Sequence, residues 1–317
     1  MQVGDSDAAT VPNPAGVRRP DGLRRVAMSK HDFEGWTISV LKSPILPSNC
    51  YCDVLDGENT KGIVLETGQS WDSVLSKTDA FKCQVCRYGE GLELKHLPEM
   101  VFPDNLLHLE YNASGFVLEF NTLDAMKLMS TTDTHSVRVA MSEPWQASKV
   151  EMGLPKDILH DFNWTFTTEY KGTLKERGNN SYKSEPLFRV ETNTSDKLNL
   201  EKLMQKEQIL FYDELTLFED ELHDNGISNC SVKIRVMPSG FFILLRYYLR
   251  VDHVMGKVCD TRIHFEKGNQ YFLRQYQCRE ESFKNLGTLD PQTFSDINIL
   301  YNHLPIRTEI IDKIFIT

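Results

Sequence analysis

The sequence contains no apolar run of the roughly 18 residues that a bilayer span needs. Residues 1–30 also lack the apolar core of about 7–15 residues that marks a secretory signal, so the expectation is a chain retained in the cell, in the cytoplasm. Surplus positive charge is missing as well: 35 Lys and Arg stand against 45 Asp and Glu, a formal charge of −10. General nucleic-acid binding needs a basic surface that displaces counterions from phosphates, and that class is excluded. An acidic surface suits basic protein partners instead. There is no glycine-rich phosphate loop, no nucleophile elbow, no His-Glu-x-x-His pair and no internal repeat. These absences shift the expectation from catalysis to binding, with no cofactor.

What is present is ordinary globular material. Apolar residues make up 40% and charged residues 25% of 317, enough to bury a sizeable core in one β-rich unit. Residues 1–30 are rich in Pro, Gly, Asp and Arg and read as a disordered arm, although Arg18, Arg19, Arg24 and Arg25 would also suit a transit peptide. Order is expected to begin near Phe33 and Trp36, and residues 31–317 read as a single domain. Seven cysteines, an odd number in a chain kept inside the cell, read as free thiols rather than a disulfide framework.

Along the chain, Trp36-Thr-Ile-Ser-Val-Leu has the look of a strand. Residues 48–90 carry Cys50, Cys52, Cys83, Cys86 and several turn signals around one candidate helix at Trp71 to Leu75, and read as an inserted loop. Leu106 to Phe120 forms a hairpin pattern whose turn is set by Asn112, Ser114 and Gly115. Asn121 then stands at a helix N-cap position with Asp124 on the third helical position. A second short helix is expected from Asn199, with Leu200, Leu203 and Met204 as its apolar face.

The C-terminal half is the most regular part. Asn225-Gly226 is the dipeptide that most favours a two-residue type I′ turn, which predicts a strand pair around it. Val232, Ile234 and Val236 alternate with Lys233 and Arg235, placing aliphatics on one face and cations on the other. Met237-Pro-Ser-Gly240 turns the chain into Phe241 to Val251, apolar at nearly every position and so expected to be a central strand covered on both faces. Two further strands, near Lys257 to Glu266 and Gln270 to Cys278, extend the meander. The fold class that follows is β-rich α+β: two packed antiparallel sheets, sandwich-like, with a few short peripheral helices.

Two constellations bear on chemistry. If the run Glu219-Asp-Glu-Leu-His-Asp224 is a strand, Glu219, Glu221 and His223 share a face and would suit a divalent metal in a hydrolase; the competing reading is a solvated strand end before the turn. Cys50-x-Cys52 and Cys83-x-x-Cys86 would together supply four thiolates for a structural zinc, against ordinary free thiols in a loop.

Several ordered motifs carry a resemblance. His96-Leu-Pro-Glu-Met-Val-Phe102, Asp161-Phe-Asn-Trp-Thr-Phe-Thr-Thr-Glu-Tyr-Lys-Gly-Thr-Leu174, Leu217-Phe-Glu-Asp-Glu-Leu-His-Asp-Asn-Gly226, Val232-Lys-Ile-Arg-Val-Met-Pro-Ser239 and Leu244-Leu-Arg246 resemble the TOR signalling pathway regulator-like family, the TIP-forty-one-like proteins, over roughly residues 92–310. The resemblance implies a cytosolic, non-catalytic regulator that binds the catalytic subunit of type 2A-family serine/threonine protein phosphatases, including its C-terminal tail. It further implies that an inactive or latent form is favoured, and that the alpha-four/Tap scaffold takes part in TOR signalling; an adaptor that binds mainly this scaffold is a variant of the same expectation. Carried over position by position, the phosphatase-binding residues are Asp124, Leu198, Val258 and Asp260. Helix capping competes for Asp124, an ion pair with Arg262 for Asp260, and core burial for Leu198 and Val258. The sequence departs from the family pattern at the aliphatics Leu198 and Val258, and at Gly240, where a second serine is usual.

Overall fold

The computed structural model describes residues 27–46, 96–129, 136–140, 157–176, 188–287 and 296–316, together with Tyr88, Gly91, Leu92, Leu94 and Thr293. The four loop cysteines, the candidate helix at Trp71 to Leu75 and the arginines of the N-terminal arm lie outside the described residues.

In chain order the elements begin with β1 (Ala27–Phe33), β2 (Trp36–Lys42), β3 (Met100–Val101), β4 (Leu106–Tyr111), β5 (Phe116–Asn121) and helix α1 (Thr122–Lys127). There follow β6 (Ser136–Ala140), β7 (Asp157–Asp161), β8 (Thr173–Glu176), β9 (Phe188–Glu191) and α2 (Leu200–Met204). The last group is β10 (Phe211–Asp220), β11 (Gly226–Met237), β12 (Gly240–Val251), β13 (Met255–Glu266), β14 (Tyr271–Ser282), α3 (Ile297–His303) and β15 (Ile306–Ile316). Strands β1-β2-β4-β5-β8 make a five-stranded sheet and β3-β10-β11-β12-β13-β14-β15-β9 an eight-stranded one, with neighbouring strands antiparallel. A separate ribbon joins β6 and β7.

The two large sheets pack face to face, as period-2 patterning requires. On β2, Trp36, Ile38 and Val40 are buried and alternate with half-buried neighbours. Trp36 from the small sheet meets Phe241, Phe265 and Phe272 of the large one at ring-centroid distances of 5.4, 5.6 and 6.4 Å. Such edge-on aromatic pairs add roughly 0.5–1.5 kcal/mol each beyond burial, so this residue ties the layers together. Strand β12 is fourth of eight, the central position that its nearly continuous apolar run predicts.

Some expectations need correction. The first strand starts at Ala27, inside the stretch read as an arm, and pairs with β2 along its whole length. Strands β10 and β11 do pair, but not through a two-residue turn. The connection covers residues 221–225, with Leu222, His223 and Asp224 in succession at φ 52°, 55° and 61°. Leu222 is fully buried in the main core, and its backbone N donates to Asp220 Oδ1 at 2.7 Å. Anchoring that side chain takes more chain than a tight turn contains. Gly226 instead opens β11, where a Cβ would sit 1.9 Å from the Arg250 carbonyl oxygen.

Helix α2 forms where expected, capped by the Asn199 side chain, which accepts from Lys202 N at 2.9 Å. Of its expected apolar stripe, Leu203 is half-buried and Met204 is 75% exposed. The buried residue is Leu198, just before the cap.

Candidate partner-binding face

Alternation along β13 sends Cys259, Ile263 and Phe265 into the core between the sheets. Val258, Asp260, Arg262, His264 and Glu266 therefore lie on the opposite, outer face. There Val258 joins a second, smaller cluster with Tyr248, Phe283, Leu300 and Leu304, so α3 lies across this face.

Register makes the polar centre of the face. Arg246 on β12, Asp260 on β13, Gln277 on β14 and Glu309 on β15 are direct cross-strand neighbours and form one row. Arg246 donates from Nε to Asp260 Oδ1 at 2.7 Å and from Nη2 to Oδ2 at 2.8 Å, a bidentate pair. Arg262 donates from Nη2 to the same Oδ2 at 2.7 Å and to the Tyr301 hydroxyl at 2.6 Å. That hydroxyl donates onward to Gln277 Oε1 at 2.6 Å, which also accepts from Arg279 Nε at 3.0 Å. Glu309 Oε1 accepts from Gln277 Nε2 at 3.0 Å. The Arg279 guanidinium lies 4.4 Å from the Tyr301 ring centroid, with Arg246 and Arg262 at 5.5 and 5.8 Å.

Burial divides these groups. The Asp260 side chain is 0% exposed, whereas Arg246 keeps 20% and Arg262 17%. Burial disfavours the Arg246 charge, but the Asp260 hydrogen bonds outweigh it and move the guanidinium pKa upward. The part of this ion pair that reaches solvent is guanidinium, held in place by the carboxylate beneath it, and the Glu309 carboxylate is exposed at the end of the row.

At the far end of the face, Lys202 on α2 pairs with Glu266 at 2.8 Å, and Arg235 Nη2 donates to the Leu203 carbonyl at 3.1 Å. Beside them Leu203, Met204, Ile209, Arg235 and Met237 line an open groove of about 790 Å³.

The expected contact residues are not brought together. Val258 and Asp260 lie on the outer face and are buried, and Leu198 is buried just before the α2 cap. Asp124 lies on α1 beside the smaller sheet. Its N–H donates to Asn121 Oδ1 at 2.8 Å, while its Oδ2 accepts from Asn121 Nδ2 at 2.8 Å and Thr173 Oγ1 at 2.7 Å. This reciprocal cap is the competing role anticipated for Asp124. The hydrogen-bond partners of Asp124 and Asp260 have no residue in common.

The metal-site reading fails on geometry. Strand β10 ends at Asp220, so Glu219, Glu221 and His223 do not share a strand face. Glu219 accepts from Asn229 Nδ2 at 2.6 Å, and Asp220 braces the loop through Leu222 N and Glu99 N at 2.7 and 2.9 Å. Among the described residues no group of three or more His, Cys, Asp or Glu is placed to hold a metal. Nor is any described helix long and apolar enough to cross a membrane.

Sequence reasoning missed Arg246, Arg262, Arg279, Gln277 and Tyr301 as a unit. One signal was available: an arginine inside the apolar run of β12 needs a counter-charge, and Asp260 on the next strand is the nearest acid in register.

The TIP41-like family profile matches residues 100–287. This chain belongs to the TIP41-like family. A human TIP41-like protein is 40% identical over 245 residues, which is 77% of this chain and 86% of that one. The Arabidopsis thaliana TIP41-like protein is 36% identical over 243 residues, 72% of this chain and 82% of the relative. A Saccharomyces cerevisiae relative named type 2A phosphatase activator TIP41 is 34% identical over 265 residues, 79% of this chain and 62% of its own length. The TIP41-like match includes Asp124, Leu198, Val258 and Asp260, whereas Tyr301 and Glu309 lie beyond it.

Proposed function

We propose that this chain is a non-catalytic regulator that binds the catalytic subunit of type 2A-family serine/threonine phosphatases. The observation that carries the reading is family membership together with the name of the yeast relatives, type 2A phosphatase activator. The regulator holds the phosphatase in a latent form by binding that form better than the active one. Storage followed by release of such a pool accords with relatives named activators. The alpha-four/Tap scaffold joins as a second partner in TOR signalling, in the cytoplasm.

The outer face is the contact surface. Asp260 acts there as a positioning residue that aims Arg246 and Arg262, and these guanidiniums take a carboxylate of the phosphatase C-terminal tail. Leu198 and Val258 support the helices that border the face. Asp124 contributes from the α1 cap.

A pull-down with purified catalytic subunit, using the parent chain and an Asp124→Leu, Asp260→Asn double variant, tests the reading. Loss of one hot spot costs about 2 kcal/mol, or roughly 30-fold in affinity. Unchanged capture by a folded double variant removes both residues from the interface. Reconstitution with the scaffold alone and the catalytic subunit alone separates the regulator from an adaptor.

A further inference from the structure

Cys259 on β13 and Cys278 on β14 are directly opposed in the antiparallel ladder. Both are buried, and the Cys259 thiol donates to Cys278 Sγ at 2.7 Å. Opposed residues in an antiparallel pair have Cα atoms about 4.5 or 5.5 Å apart. A disulfide accepts separations of roughly 4.4–6.8 Å, so the backbone already has the spacing a bridge requires. Cys230, by contrast, is fully buried, and burial alone pushes its thiol well above the ordinary range.

The surroundings of the pair differ from those of Cys230. Lys257, two residues before Cys259 on the same face, pairs with Glu280, two residues after Cys278, at 2.9 Å and keeps 21% exposure. The Cys259 hydrogen bond, with the Lys257 ammonium nearby, moves Cys278 below the usual thiol range against the effect of its burial. Tyr276 stands on the same face with the Lys171 ammonium 4.3 Å over its ring.

We propose that Cys259 and Cys278 are a reversible peroxide-sensitive dithiol that closes into a cross-strand disulfide. The Cys278 thiolate attacks hydrogen peroxide: an S–O bond forms, the O–O bond breaks and hydroxide leaves, giving the sulfenic acid. Cys259 sulfur then attacks Cys278 sulfur: the S–S bond forms, the S–OH bond breaks, and the departing hydroxide takes the Cys259 proton as water. The sum is two thiols and one peroxide giving one disulfide and two waters. A thiol reductant reverses it. The next pair along these strands is Asp260 and Gln277, so the bridge staples the two strands that carry the centre of the outer face.

Trypsin isolates the two sulfurs in separate peptides, residues 258–262 and 275–279. The test is peptide mass mapping of the reduced full-length protein after hydrogen peroxide treatment and alkylation. The expected product is these two peptides joined, lighter by two hydrogens than their sum and separated again by dithiothreitol. Recovery of both as alkylated thiols, as over-oxidised acids, or linked to other cysteines overturns the proposal. In Cys278→Ser, Cys259 is expected to oxidise about ten-fold more slowly than in the parent. Oxidation of Cys259 at the parental rate in that variant overturns the assignment of Cys278 as the attacking sulfur.

Discussion

Arg246 grips both carboxylate oxygens of Asp260 across two adjacent strands, at 2.7 and 2.8 Å, and Asp260 is fully buried beneath it. Arg262 rests on the same carboxylate, so two guanidiniums depend on one buried side chain. Removing one member of a buried pair costs about 3–5 kcal/mol, and the partial exposure of both arginines favours the lower end. Asp260→Ala is therefore expected to lower stability by about 3 kcal/mol in urea unfolding. An unchanged midpoint would show that solvent compensates both arginines.

Asn121 and Asp124 separate capping from partner contact. Asn121→Ala removes the acceptor for Asp124 N and is expected to cost about 1 kcal/mol of stability while phosphatase capture persists. Asp124→Leu is expected to lose capture as well. Equal effects of the two variants on capture would reduce Asp124 to a cap.

Much of this was legible beforehand. The alternation in β2 and β11, the hairpin at Asn112 to Gly115 and the central place of β12 follow from period-2 patterning, which burial enforces residue by residue. The Asn225-Gly226 turn was misread because local φ preference was outweighed by burial of Leu222, a tertiary contact. Helix α2 was misread at Met204 because a five-residue helix presents too little stripe to settle which side faces inward. The Asp260–Arg262 pair was anticipated because both lie on β13, whereas Arg246 joins it through register between strands, which is not written in either strand alone.

Gly240 is expected to resist substitution. A Cβ there would meet the Phe265 carbonyl oxygen at 2.0 Å, because β13 approaches closely at this point. Gly240→Ala should destabilise by roughly 2 kcal/mol, read by thermal or urea unfolding.

Glu119 gives the protein part of its acid sensitivity. Burial raises its pKa, but hydrogen bonds from His108 and Lys175 outweigh that and hold it below the usual carboxylate range. A depressed folded pKa contributes stability that is present above the unfolded value of about 4.3 and is lost as pH falls through the folded one. Urea midpoints measured from pH 6 down to pH 3 should fall less steeply for Glu119→Gln than for the parent over about the last two units. Parallel curves would remove Glu119 from the acid response.

The most direct measurement is a calorimetric titration of purified type 2A catalytic subunit into the full-length protein. Saturable binding is expected, weakened about 30-fold by Arg262→Ala in a variant that still folds. A flat titration, or binding of equal strength with Arg262→Ala, would contradict the outer face as the phosphatase-binding surface.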